Sequence, residues 1–207
     1  MNHLEEQTPQ LCVPDTPVKF EWTYRVSLQD YQSFNFILAE PEIKKRRRRS
    51  NTLGILEVAL GLVMLVSMLT AKAESQALYY VLDAALILMG AYGLCFYRFI
   101  FPWQLKKSAA KQYEKNLYLN HDIHLRLYEE GVAEQSYETS QFLPWEEIAE
   151  VLQASELTVF ILKSKKCILL PAQVTAPQQQ EFSAFLTELH DRCGVPVSSV
   201  KKGAGNP

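Results

Sequence analysis

Two carboxylates, Glu57 and Asp83, stand out chemically in this 207-residue sequence, because each interrupts a run that is otherwise apolar. An ionisable group in such surroundings is a default candidate for an ion or proton pathway. Their depths separate them. At a helical rise of about 1.5 Å per residue, Glu57 lies about 6 Å inside one end of its run and Asp83 about 9 Å inside the opposite end. In an antiparallel pair they stand roughly 13 Å apart along the axis and cannot share a proton directly. Gly54 and Gly61 fall on the face of Glu57, while Gly90 and the row Ala77, Ala84 and Ala91 fall near Asp83, so both carboxylates are expected at a helix interface. The simpler account pairs Glu57 with Arg98 and leaves Asp83 interfacial or interhelical. The alternative is an ion or proton site assembled from several copies.

Other candidate chemistries are weaker. His121, His124 and His190 make no metal set, since His121 and His124 project to opposite faces of a strand. Cys12, Cys95, Cys167 and Cys193 form no close pair and read as scattered structural thiols kept reduced. No glycine-rich phosphate loop, nucleophile elbow or partnered carboxylate pair is present, so neither an enzyme nor a cofactor is expected. Trp145, after Pro144, reads as a packing residue, and Lys163, Lys165 and Lys166 as a solvated turn. The run Lys44, Lys45, Arg46, Arg47, Arg48 and Arg49 resembles a nucleic-acid signal, but an apolar segment starts four residues later. Together with Arg98, Lys106 and Lys107 it reads as a basic collar on an anionic membrane surface, not a nucleic-acid site.

Those apolar segments position everything else. Residues 53–71 and 77–97 are each long enough to cross a bilayer core of about 30 Å, and the polar stretch 72–76 allows only a tight reversal. Both lack the stripe expected of a buried hairpin in a soluble protein. Lys and Arg concentrate before the first segment and after the second, whereas the intervening loop has only Lys72. Both termini are therefore expected in the cytoplasm of a multi-pass cell-membrane protein. No cleavable signal is visible in residues 1–10, so the first span should target the chain.

The rest of the chain is enough for one modest domain. Residues 1–17 read as a disordered arm. Phe20, Trp22, Tyr24 and Val26 alternate with Lys19, Glu21, Thr23 and Arg25 as in a half-buried strand. Ser27 and Asp30 cap a helix over 28–39, which Pro41 should end or bend, so 18–40 supplies a first strand and helix and 41–52 a basic juxtamembrane segment. Residues 98–118 form a juxtamembrane stretch in which Pro102 redirects the chain and a helix runs over 104–117. Strands are expected at 122–128, 132–139, 142–145, 148–153, 157–163 and 167–170. A last helix starts near Pro177, buries Phe182, Phe185, Leu186 and Leu189, and stops at Gly194. Residues 195–207 read as a disordered tail.

A sheet whose first strand precedes the spanning pair implies a single domain, 18–40 with 119–194, into which the hairpin 53–97 is inserted. The order Phe20-Glu21-Trp22-Thr23, Asp30-Tyr31, a basic stretch, two spans, then Glu130-Gly131-Val132, Pro144-Trp145-Glu146-Glu147-Ile148 and Leu169-Leu170-Pro171 resembles the YcxB-like membrane proteins of bacteria over about residues 18–190. That resemblance implies an α+β fold: a pleckstrin-homology-like antiparallel sheet or barrel with a C-terminal helix, interrupted by the transmembrane hairpin. It implies no activity. The expected function is a non-enzymatic, membrane-anchored binding or regulatory module. Lipids meet the hairpin and the collar, and a protein or peptide is the expected partner of the domain. An oligomeric small transport or ion-sensing component is the alternative, with homo-oligomerisation implied.

Overall fold

Alternating side chains build the first strand. In the computed structural model, which describes residues 16–71, 77–137 and 139–200, β1 (Phe20–Tyr24) buries Phe20, Trp22 and Tyr24 and exposes Glu21 and Thr23. The N–H of Asp30 donates to Ser27 Oγ at 3.1 Å, and the Asp30 carboxylate accepts the Ser27 N–H at 3.0 Å. This reciprocal cap starts α1 (Leu28–Ala71), a single 44-residue helix. The helix does not end at Pro41, so of the two expected outcomes there the stop is overturned. One interior proline costs about 3 kcal/mol, but the Lys- and Arg-rich stretch beyond it is a good helix former and propagates into the apolar segment without a new nucleation step. Glu40–Lys44 (2.7 Å) and Glu42–Arg46 (3.3 Å) pairs bracket the site.

The return path is also more helical than expected. Helix α2 (Ala77–Cys95) passes through a π-helical turn, Phe96–Ile100, into α3 (Phe101–Lys115). Pro102 sits in the first turn of α3 beside this change of bonding register, where a missing N–H disrupts least, so the chain stays helical. A short helix, α4 (Leu117–Asn120), follows, with the Asn116 side chain accepting the Tyr118 N–H at 3.1 Å. Residues 1–15, 72–76 and 201–207 lie outside the described residues, and with them most of the expected arm, the expected reversal and the end of the expected tail.

Seven more strands complete two sheets. The first has the order β1–β2–β3–β4, with β2 at Ile123–Leu127, β3 at Gly131–Gln135 and β4 at Ser140–Pro144, all antiparallel. Its β1–β2 register runs from Phe20↔Leu127 to Tyr24↔Ile123. A 3₁₀ turn, Trp145–Glu147, leads into β5 (Ile148–Ala154), β6 (Leu157–Leu162) and β7 (Cys167–Pro171). The short helix α5 (Ala172–Thr175) and a 3₁₀ turn containing Pro177 precede α6 (Gln179–Cys193). Gly194 then takes the left-handed conformation, φ 66°, and its N–H reaches His190 O at 2.9 Å.

Residues 197–200 are not an unstructured tail. They form β8 (Val197–Val200), which pairs in parallel with β5 from Val151↔Val197 to Ala154↔Val200. The second sheet is therefore mixed, with the order β7–β6–β5–β8, and both sheets are open. The expected mixture of helix and sheet is present, and where an antiparallel sheet or barrel was expected there are two open four-stranded sheets, one wholly antiparallel and one carrying a parallel strand.

Between α6 and the strands lies one apolar cluster. Phe20 stacks on Trp22 at 5.3 Å, and the Phe182 ring meets both edge-on at 5.8 and 5.4 Å. Trp145 is buried, with its indole N–H shared between the carbonyls of Tyr128 and Glu129 at 3.2 and 3.0 Å. The chain divides into two units: the strands and α6 with residues up to Ile37 and from Ala109, and a helical unit spanning Leu38–Ser108.

Candidate functional site

The helical unit has two helices long and apolar enough to cross a membrane. Only 11% and 6% of their apolar windows are buried, so these surfaces are not covered by protein as a soluble core helix would be. What is buried lies along a seam. A Cβ on Gly54 would meet Gly90 O at 2.8 Å, and one on Gly90 would meet Gly54 O at the same distance, so only glycine permits this backbone approach. Ser50 Oγ donates to Gly93 O at 2.8 Å across the same seam.

Asp83 sits on this seam, 2% exposed, opposite Gly61, and its two carboxylate oxygens have no hydrogen-bond partner among the described residues. The expected helix interface around Asp83 is thus present. Glu57 is half-buried, and its Cβ lies within 3.0 Å of where a Gly90 Cβ would stand. Among the described residues no ion pair joins it to Arg98, whose guanidinium instead lies 5.7 Å from the Phe99 ring centroid. Arg98 is directed to an exposed aromatic, so the expected Glu57–Arg98 pairing is corrected. Lys44, Lys45, Arg46, Arg47, Arg48, Arg49, Lys106 and Lys107 are all exposed, and the Lys107 ammonium lies 5.3 Å from the Trp103 ring centroid.

The sheet unit holds a polar cluster that the sequence pattern did not single out. Glu134, 3% exposed, follows Val132 on the inward side of β3 and faces Leu125 of β2. It accepts a hydrogen bond from the Tyr118 hydroxyl and one from Gln141 Nε2 at 2.9 Å. Burial, with Glu134 second, pushes the Tyr118 phenol far above its ordinary range. Tyr24 is raised by the same two causes, and its hydroxyl has no partner among the described residues. Parity along β3 was the available signal: two residues on from inward Val132, the chain places a carboxylate indoors. This cluster fastens α4 to the sheet. Tyr113 also donates to Val26 O at 2.9 Å, and Tyr31 to Gln112 at 3.1 Å, so α3 is held to the segment after β1 and the start of α1 to α3.

The third feature is the outer edge of β5. Its C-terminal half pairs with β8, and the Val151 N–H donates to Pro196 O at 2.8 Å. Beside the N-terminal half is a cavity of about 280 Å³ lined by Trp145, Glu146, Ile148, Ala149, Lys163 and the segment Cys193–Pro196. No family model matches this chain, and no curated protein or solved structure is found to be similar to it. Cys95, Cys167 and Cys193 are unpaired thiols, and no cluster of metal-ligating side chains occurs among the described residues. Burial raises the Cys167 thiol, which lowers its thiolate fraction.

Proposed function

We propose that this protein is a membrane-anchored binding or regulatory module without enzymatic activity, whose two-sheet domain recognises a protein or peptide partner. The pairing of β1 with β2 across the inserted apolar helices carries this reading, because it makes the segments before and after the hairpin parts of one sheet. Seven strands in two open sheets, followed by α6, are the feature that supports a pleckstrin-homology-like kinship and the resemblance to YcxB-like proteins, with β8 an addition after that helix. Basic charge flanking the hairpin supports cytoplasmic termini in a cell membrane, with the collar on anionic lipid.

Residues 119–193 carry twelve acidic and five basic side chains, which opposes an anionic headgroup as the domain's ligand. A second reading, an ion-handling assembly of several hairpins, draws on the buried, unpartnered carboxylate of Asp83. Photo-cross-linkers placed in native membranes distinguish the two. Adducts to another protein from positions on the sheet edges support a binding module. A homo-oligomer of fixed size cross-linked through Glu57 or Asp83, with no adduct on the domain, would overturn it.

A further inference from the structure

Strand β8 is a short occupant of the β5 edge. It pairs over four residues, none of them fully buried, and Val195 just before it is the one side chain of the segment sunk into the core, at 3% exposure. The hydrogen bonds of a sheet edge do not depend on side-chain identity, so an edge that takes this segment can take another extended chain in its place. The accepted pattern is visible in the occupant: Val195 and Val197 alternate with Pro196 and Ser198.

The edge also continues beyond β8. Ile148 and Ala149 line the 280 Å³ cavity, where β5 has an irregular register between Ile148 and Glu150. Because β8 runs parallel to β5, a segment following its direction brings its N-terminal flank past this cavity. Glu146 lines the cavity with Lys163, Glu147 and Glu150 adjoin the lining residues Glu146, Ile148 and Ala149 in the chain, and none of the three carboxylates forms an ion pair among the described residues.

We infer that the β5 edge is the domain's peptide-binding site, that it takes an extended protein segment with apolar residues at alternate positions behind a basic flank, and that β8 competes for it within the chain. This inference rests on the binding-module reading above and names its site. Occupation in cis lowers the affinity for an incoming segment by the fraction of chains in which the edge is free. Partner binding and release of residues 195–200 are then one exchange.

The test uses the full chain in detergent micelles, with its own cysteines changed to serine and Gln153→Cys and Ser199→Cys added, positions that are partners in the β5–β8 register. The probe is a fluorescent peptide of two lysines followed by the sequence of residues 195–200, compared with the same peptide led by two glutamates. Binding is expected to the reduced chain, to disappear when the disulfide locks β8, and to return with reductant. Ser198→Pro with Ser199→Pro, which removes strand N–H groups, should tighten binding at least about 10-fold. The lysine peptide should bind better than the glutamate peptide, with the difference shrinking as salt rises.

Equal binding to locked and reduced chains would overturn the inference, as would no binding to the reduced chain or to a proline variant whose tryptophan-fluorescence melt stays cooperative. A disulfide-linked dimer formed between chains carrying only Gln153→Cys and only Ser199→Cys would assign the edge to a second copy instead. Partner cross-links elsewhere on the domain would, in that event, sustain the binding module while removing this edge from it.

Discussion

Tyr24 and Tyr118 have the same buried carboxylate as neighbour, yet loss of their hydroxyls should act oppositely. Tyr118→Phe removes a donor to Glu134 and leaves a buried acceptor short of a partner, which costs about 1–3 kcal/mol. Tyr24→Phe removes a hydroxyl that has no partner among the described residues, so stability should hold or rise. Urea unfolding of the full chain in micelles, followed by tryptophan fluorescence, measures both. The pH dependence has a definite sign. Both phenols are raised in the folded state, chiefly by burial. The stability they contribute is complete below the unfolded tyrosine value of about 10 and is lost as pH rises above it. The urea midpoint should therefore fall above about pH 10, and less steeply in the Tyr24→Phe, Tyr118→Phe double variant.

At the scale of elements, the hairpin seam depends on two glycines in mutual backbone contact. Ser50 Oγ stands 3.5 Å from the position of a Gly93 Cβ, so Ser50→Cys with Gly93→Cys, in a chain without other cysteines, should oxidise within one molecule. Adding Gly54→Leu or Gly90→Leu should slow that reaction at least about tenfold, because a branched side chain must push the backbones apart. Unchanged cross-linking would show that the seam does not need glycine. The patterned strands and α6 were legible in the sequence because two-residue and 3.6-residue apolar periods report which face is buried. Pro41 does not end its helix for a physical reason: a proline's local cost is fixed, while the cooperative gain from continuing a helix depends on what lies beyond it.

For the whole molecule, residues 119–193 lack β1, which lies on the far side of the inserted hairpin, and also β8, which follows α6. Without β1 the sheet loses Phe20, Trp22 and Tyr24 from its core, side chains worth roughly 1.5–3 kcal/mol each when fully buried. That fragment should unfold non-cooperatively. Residues 16–37 joined by a flexible linker to 109–200 should instead melt cooperatively, as scored by calorimetry. The proposed topology makes a separate expectation. Cysteines at Ser27 and Ser155 should be protected from an impermeant thiol reagent in intact cells, while one at Ser75, outside the described residues, should react. Labelling of Ser27 or Ser155 under those conditions would place the domain on the wrong side.

The sequence by itself determined the two apolar helices, the basic flanks, and the strands of the domain with their inward faces in β1 and β2. Composition and periodicity are local properties that need no partner to be read. Tertiary structure alone decided what those local properties leave free. The pairing of Tyr24 with Ile123 joins residues separated by the entire hairpin. Glu134 became a buried acceptor only once Tyr118 and Gln141 converged on it. Residues 197–200 became a strand because the β5 edge offered unpaired hydrogen-bonding groups, not because of any pattern strong enough in four residues to announce it.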